Sequence, residues 1–113
     1  MPVISQNAGG KAFIGRPGGY VGAAAVVAVD LNGKRVGELG DGEMLIADAR
    51  PGDNVIQVRI EGLQGIGMNS PTSEFKSDEV SNNFYLVQFD VGFIGSKMML
   101  IETTENGWKQ QLK

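Results

Sequence analysis

The sequence predicts an all-β domain: a single antiparallel β-sandwich of seven or eight short strands, ending in a short helical turn. Short apolar runs alternate with clusters of Gly, Pro, Asn and Asp at intervals of roughly 8 to 12 residues, which is typical of a sandwich. No segment sustains the period of an amphipathic helix. Glycine makes up 17 of 113 residues, about twice the usual ~7%, and its irregular spacing suits a chain with many turns.

The first half of the chain predicts four strands. Lys11 to Ile14 is a short strand that enters a glycine-rich stretch. Ala24 to Leu31 is almost continuously apolar, which indicates a strand buried on both faces. Asn32-Gly33 then predicts a type I′ hairpin turn into a third strand, "KRVGEL", because both central residues of that turn need a positive φ. Gly40 to Gly42 forms the next turn and leads into the strand "EMLIADA".

The segment Arg50 to Asp53 places Pro and Gly at the central positions of a type II turn. The strand "NVIQVRIEG" follows and alternates cleanly, so one face is buried and the other is wet. The predicted buried residues are Ile56, Val58 and Ile60; the predicted outer residues are Gln57, Arg59 and Glu61.

The region from Leu63 to Thr72 predicts an irregular loop, and a short strand follows around Ser73 to Lys76. The segment "NNFYLVQFDVGF" predicts a strand with one apolar face, made of Tyr85, Val87, Phe89 and Val91. Gly92 to Ser96 turns the chain into the last strand, "KMMLIET". Residues 1–10 are expected to be an N-terminal extension, residues 11–103 the sandwich and residues 104–113 a C-terminal tail. In this tail we expect Thr104 to be the N-cap of a short helix with Trp108 and Leu112 on one face.

Composition excludes several classes of function. The net charge of −3 and pI of about 4.8 argue against binding a phosphate backbone, which needs a basic face. There is no cysteine or histidine, so disulfides, zinc-finger spacing, a thiolate nucleophile and an imidazole base are excluded. No cofactor or metal is predicted. The longest apolar stretch, Val21 to Val29, is too short to insert in a bilayer, which needs ~20 residues, and Met1 to Gly10 shows no signal peptide.

The glycine-rich stretch around Arg16 lacks the features of a phosphate-binding loop, because Ala23 and Ala24 stand where Lys and Ser/Thr belong. The loop acids lack the spacing of a calcium-binding loop. "SEFK" at Ser73 to Lys76 has a Ser-x-x-Lys spacing, but it lies on a predicted strand and not at a helix start. We therefore predict a protein that is not an enzyme and has no catalytic residues.

Arg16 and Tyr20 form one candidate ligand-binding pair at the rim of the sandwich. A guanidinium beside a rigid proline suits a carboxylate or phosphate. The competing interpretation is structural, with Arg16 in an internal salt bridge to Asp48 or Asp53.

Trp108 and Met99 are candidate contacts for a protein partner. The structural alternative for Trp108 is that it packs on the sandwich edge as a cover. Strand alternation places one of Met98 and Met99 inward and the other outward, so at least one of them belongs to the core.

Three segments carry a family resemblance: "RPGGYVGAA" at 16–24, "VDLNGKRVGEL" at 29–39 and "RPGDNVIQV" at 50–58. Together they resemble an uncharacterised bacterial envelope domain family whose members are often lipoproteins. The resemblance extends from about Lys11 to Glu102 and rests mainly on turn residues. The chain departs from the family pattern in having Asn-Gly for the commoner Asp-Gly and in lacking the lipobox cysteine.

The resemblance implies a sandwich of the prealbumin or carboxypeptidase-regulatory type and no known reaction. It implies a periplasmic or outer-membrane-tethered location if a signal peptide has been removed, and a cytoplasmic one otherwise. The resulting expectation is a non-catalytic envelope accessory that binds a protein partner and not nucleic acid. The alternative is a small-ligand or glycan-binding domain that uses the loop around Arg16 and Tyr20.

Overall fold

The computed structural model describes residues 10–18, 25–62, 67–78, 80–91 and 96–112. These residues form eight strands and one helix. The elements are β1 (Lys11–Gly15), β2 (Val27–Leu31), β3 (Lys34–Leu39), β4 (Met44–Asp48), β5 (Gly52–Ile60), β6 (Thr72–Ser77), β7 (Asn82–Val91), β8 (Ser96–Thr103) and α1 (Glu105–Gln111). The mostly β architecture predicted from the sequence is confirmed. Tyr20, loop residues 63–66 and turn residues 92–95 lie outside the described residues.

The strands form two four-stranded sheets. Sheet A has the order β4-β1-β7-β8 and sheet B the order β3-β2-β5-β6. The expectation of purely antiparallel pairing is wrong for one pair, because β1 and β7 run parallel, with Phe13 opposite Phe84. Parallel neighbours need a long crossover connection, and here the chain between them passes through β4 and all of sheet B.

Local sequence signals set the turns as predicted. Asn32 and Gly33 have φ values of 55° and 83°, as a type I′ turn requires. Asn32 is the only described non-glycine residue with a positive φ, and asparagine tolerates that region better than most residues. Gly52 follows Pro51 with φ at 91°, which fits the predicted type II turn.

The core lies between the two sheets and takes residues from both. Ile56 and Val58 on β5 are fully buried, as their alternation predicted. Val27 and Val29 on β2 are buried in the same cluster as Ile14 on β1. The remaining buried members of this cluster are Ala12, Leu31, Leu39, Ala47, Ala49, Phe75, Tyr85, Val87 and Met98.

Strand β7 is buried on both faces. Tyr85 and Val87 point into the core, as predicted, and Phe89 packs against it. Phe84 and Leu86, on the opposite face, are also buried, in a second cluster with Trp108. The sequence pattern alone indicated only the first face, because the second is covered by the C-terminal helix.

Helix α1 lies on the outer face of sheet A. Thr104 has extended backbone angles and its side chain accepts a hydrogen bond from the Gly107 amide, which confirms it as the N-cap. Trp108 and Leu112 share the face that packs on the sheet. Gly15 makes this approach close, because a Cβ there would lie 2.5 Å from Leu112 Cδ1.

The outer face of sheet B is charged instead of apolar. Arg35 pairs with Glu38 at 3.2 Å and also with Glu61. Asp30 and Arg59 form a further pair across β2 and β5. The two sheets therefore differ in their outer faces: a helix covers part of sheet A, whereas ion pairs line sheet B.

Candidate functional site at the edge of strand β4

Arg16 is buried at one end of the two-sheet body and is only 2% exposed. It follows β1 in sheet A, and its Nη1 donates to the carbonyl oxygens of Ala25 at 2.5 Å and Leu39 at 3.0 Å, both in the sheet B half. Its guanidinium also lies over the Phe89 ring, 5.2 Å from the centroid. Arg16 therefore connects the two sheets through their backbone.

The two acids predicted to form a salt bridge with Arg16, Asp48 and Asp53, pair with other residues instead. Asp48 pairs with Lys11 at 2.6 Å, and Asp53 lies 3.9 Å from Lys76. Burial lowers the pKa of Arg16, and the nearby charges of Asp41 and Glu43 act in the opposite direction. Arg16 therefore lies near Asp41 and Glu43, which precede β4. It does not lie near Asp48, at the far end of β4, as predicted.

Trp108 is 5% exposed and sits on the outer face of sheet A. Its ring lies 5.5 Å from that of Phe13 and 5.7 Å from that of Phe84. Trp108 therefore covers the face of the central strands β1 and β7, and not the sandwich edge that the structural alternative expected. Met98 is 1% exposed in the core, whereas Met99 is half-buried, so the two methionines face opposite ways as predicted.

The two sheets have four edge strands, and three of these edges carry features that oppose pairing with another chain. Strand β3 has a register shift opposite Val29/Asp30 and exposed charges at Lys34, Arg35 and Glu38. Strand β6 carries exposed Glu74 and Lys76. Bulges and charges of this kind are the usual protection of sheet edges.

Strand β8 is protected differently, by a side chain. The Asn69 amide donates to the Met98 carbonyl oxygen at 2.7 Å, and the Met98 amide donates to Asn69 Oδ1 at 2.9 Å. Asn69 thus occupies the backbone groups that another strand would use at that point of the edge.

Among the described residues of β4, the only charged one is Asp48 at the end of the strand, which pairs with Lys11 of β1. The sequence of β4 from Met44 to Ala47 is uncharged, and its register with β1 is unbroken. Met44 is 49% exposed and Ile46 is 48% exposed. Exposed apolar side chains on an uncharged stretch of an edge strand are typical of a strand that can pair with another chain.

The direction of the backbone groups on β4 follows from two hydrogen bonds to β1. The Arg16 amide donates to the Glu43 carbonyl, and the Ala49 amide donates to the Gly10 carbonyl. Antiparallel pairs alternate between bonded and non-bonded positions, so Leu45 and Ala47 bond to β1. The amides and carbonyls of Met44, Ile46 and Asp48 therefore point away from β1, to the side of β4 where the described residues place no strand.

A groove of about 470 Å³ lies between β4 and the edge of β3. Val36, which is 40% exposed, and Ile46 line it, with Lys34 and Arg50 at one end. At the other end, the Leu45 side chain packs over Gly37 and closes the gap between the two strands. The edge of β4 and this groove form one continuous surface, which we call the β4 edge.

A second groove of about 520 Å³ lies at the opposite end of the body from Arg16. Its charged lining residues are Arg50, Asp53, Glu74 and Lys76. Its base is held by Asn54, which is 3% exposed. Asn54 Oδ1 accepts hydrogen bonds from the Arg50 backbone amide and the Asn32 side-chain amide. Asn54 Nδ2 donates to the carbonyl oxygens of Arg50 and Gly52.

Among the described residues, no three Asp or Glu side chains gather to hold a metal ion. No helix in the described part of the chain is long and apolar enough to cross a membrane.

Sequence reasoning placed the candidate contacts at Arg16, Tyr20, Trp108 and Met99 and missed the β4 edge. The signal for it was the uncharged run "MLIA" at 44–47 within the predicted strand "EMLIADA". The sequence does not show that this strand is at an edge, because strand order is a property of the sheet.

Comparison with known proteins adds no relative. No protein-family model, no curated protein and no solved structure matches this chain.

Proposed function

We propose that this chain is a non-catalytic protein-interaction module that binds its partner through the β4 edge. The observation that carries the proposal is the exposure of Met44 and Ile46, at 49% and 48%, on an edge strand whose outward backbone groups pair with no other described strand. An apolar edge favours a protein partner, whereas a ligand-binding domain would bring polar groups together in a concave pocket.

The proposed mode of binding is strand addition. A partner strand would hydrogen-bond to the backbone of Met44, Ile46 and Asp48 and pack its apolar side chains beside theirs. In such complexes the backbone bonds give affinity and alternate side chains give specificity. Lys34 and Arg50, at one end of the β4 edge, favour an acidic residue at the matching end of the partner strand.

The family resemblance supports two further parts of the proposal. It makes the bacterial envelope the proposed location, with the chain as an accessory domain there. It also makes the prealbumin or carboxypeptidase-regulatory type the proposed form of the sandwich, and the two four-stranded sheets around a shared core fit that form.

Photo-crosslinking in the native cells tests the interaction. A photoreactive residue at position 46 should yield a discrete adduct, and the same residue at Val80, which is 88% exposed and lies outside β4, should not. The captured protein, once purified, should bind the wild-type chain and lose binding to Ile46→Lys. Equal adducts from both positions, or binding unaffected by Ile46→Lys, would refute the proposal.

Small-ligand binding is the second candidate function. The groove at the Asn54 end favours it, because charged side chains of both signs line it beside Phe75. The site first expected for this function, around Arg16 and Tyr20, is less favoured because Arg16 is buried. NMR titration with neutral and acidic sugars tests it, and shifts confined to Arg50, Glu74 and Lys76 would support it.

A further inference from the structure

We infer that Asn106 is a site of spontaneous deamidation and that its conversion loosens the contact of Trp108 with sheet A. Asn106 and Gly107 lie in the first turn of α1, directly before the tryptophan. Asparagine followed by glycine is the pair most prone to this reaction, because glycine has no side chain to hinder attack by its own backbone nitrogen.

The reaction needs only water and the two residues themselves. The backbone nitrogen of Gly107 bonds to Cγ of Asn106 and gives up its proton to the solvent, while Nδ2 leaves as ammonia. Water then opens the resulting cyclic imide at one of its two carbonyl carbons. When the bond from nitrogen to Cγ breaks, the product is aspartate. When the bond from nitrogen to the main-chain carbonyl breaks, the product is isoaspartate, whose backbone runs through Cγ and is one carbon longer.

The fold protects the other Asn-Gly pair of the chain, Asn32-Gly33. Asn32 Nδ2 donates to Asn54 Oδ1 at 2.9 Å, and Asn32 Oδ1 accepts a hydrogen bond from the Val55 amide at 2.9 Å. Attack by the Gly33 nitrogen requires the Asn32 carboxamide to turn toward it, which would disrupt both bonds. We therefore expect Asn32 to persist for as long as the chain is folded.

The Asn106 side chain, in contrast, is exposed and hydrogen-bonds to none of the described residues. The attacking group, the Gly107 amide, donates only to the hydroxyl of Thr104 at 3.1 Å, and Thr104 is itself exposed. Helix ends fray, and opening of this first turn frees both reacting groups. The packing of the helix also favours the glycine, because a Cβ at Gly107 would lie 2.5 Å from Thr103 Oγ1.

The two products act differently on the helix. Aspartate at position 106 adds a negative charge to the first turn, where the helix macrodipole favours it. Isoaspartate lengthens the backbone between Thr104 and Trp108. The bonds from the Gly107 amide to the Thr104 hydroxyl and from the Trp108 amide to the Thr104 carbonyl then lose their geometry. The Trp108 ring is thereby displaced from Phe84, whose ring centroid lies 5.7 Å away in the unmodified chain.

Incubation of the purified, folded chain at mildly alkaline pH tests the inference. Peptide mass spectrometry should find ammonia lost and water gained at residue 106, at a rate at least about tenfold above that at residue 32. In urea that unfolds the chain, where neither side chain is held, the two rates should become similar. Trp108 is the only tryptophan, so its fluorescence should shift to longer wavelength as isoaspartate accumulates and the ring becomes exposed.

Four variants separate the causes. Asn106→Gln lacks the favourable ring size and should show neither the mass change nor the fluorescence change over the same period. Asn106→Asp carries one of the two products and should keep the wild-type fluorescence. Asn54→Ala frees the Asn32 carboxamide and should speed deamidation at residue 32. Its matched control is Arg16→Met, which we expect to destabilise the fold to a similar extent at the opposite end of the body and to leave residue 32 slow.

Persistence of Asn106 in the folded chain, over a period in which the unfolded chain is converted there, would overturn the inference. Equal conversion of residues 32 and 106 in the folded chain would also overturn it, because the fold would then not select between them. Accumulation of isoaspartate with unchanged Trp108 fluorescence would refute the loosening of the contact with sheet A.

Discussion

The indole N–H of Trp108 donates to the carbonyl oxygen of Tyr85 at 3.0 Å, which fixes the C-terminal helix to the middle of β7. Phe13 and Phe84 stack beneath the same ring, 4.7 Å apart. The helix has only seven residues, and so short a helix is not stable alone in water. The packing of Trp108 is therefore what holds the helix on sheet A.

Trp108→Ala should lower the free energy of unfolding by about 3–5 kcal/mol, because it removes a buried aromatic side chain and leaves a cavity. Trp108→Phe keeps much of the packing but loses the bond to Tyr85, and we expect a loss of about 1–2 kcal/mol. Urea unfolding measures both. The control is Met44→Ala on the exposed edge, expected to change stability by about 0.5 kcal/mol or less. A stable Trp108→Ala chain would favour the partner-contact interpretation instead.

Arg16→Met should destabilise the fold by about 2–4 kcal/mol, because the carbonyls of Ala25 and Leu39 lose their buried donor. Arg16→Lys keeps a charge but not the planar fork, so its loss should be intermediate. Chemical denaturation measures these losses against Arg50→Met, an exposed arginine. Full stability of Arg16→Met would restore the hypothesis that Arg16 serves to contact an anion.

Asn54→Ala should lower the free energy of unfolding by about 2–3 kcal/mol, because it leaves backbone groups of Arg50 and Gly52 without their partners in a buried site. Asn54→Asp should recover only the bonds in which Asn54 accepts. Unfolding curves test this, with exposed Asn106→Ala on the helix as the neutral control. If Asn54→Ala also weakens the binding of a ligand titrated into the adjacent groove, the effect is indirect, because the Asn54 side chain is fully engaged in hydrogen bonds within the fold.

Asp78 gives the fold a dependence on pH. Its carboxylate accepts hydrogen bonds from the Val80 amide at 3.0 Å and the Ser81 amide at 2.6 Å, and these bonds, with one from the Ser81 hydroxyl, lower the pKa of Asp78. A lowered pKa in the folded state stabilises the protein at pH values above the pKa of the unfolded state, which is near 3.8. This contribution disappears as the pH falls through the folded pKa.

The difference in unfolding free energy between wild type and Asp78→Asn should therefore be present at neutral pH and shrink as the solution is acidified below pH ~4. Ser81→Ala, which loses only the hydroxyl bond, should keep most of this dependence. A difference that stays constant with pH would show that the effect of Asp78 is unrelated to its charge.

The sequence by itself determined the features that depend on neighbouring residues. The Asn32-Gly33 turn follows from the backbone preferences of two residues, and the Thr104 cap from one side chain and an amide three residues away. The inward face of β5 follows from the alternation of side chains along a strand. In each case the interacting groups are close in the chain, so their types and spacing were enough.

Only the tertiary structure decided the features that depend on distant segments. Parallel pairing of β1 with β7 joins residues about 70 positions apart, as Phe13 and Phe84 show, and no local pattern specifies such a neighbour. The same holds for the burial of Arg16, whose acceptors come from two other segments, and for the second buried face of β7 under Trp108. The position of β4 at the edge of the described sheet was likewise fixed by strand order, because a strand becomes an edge only when the sheet places no strand beyond it.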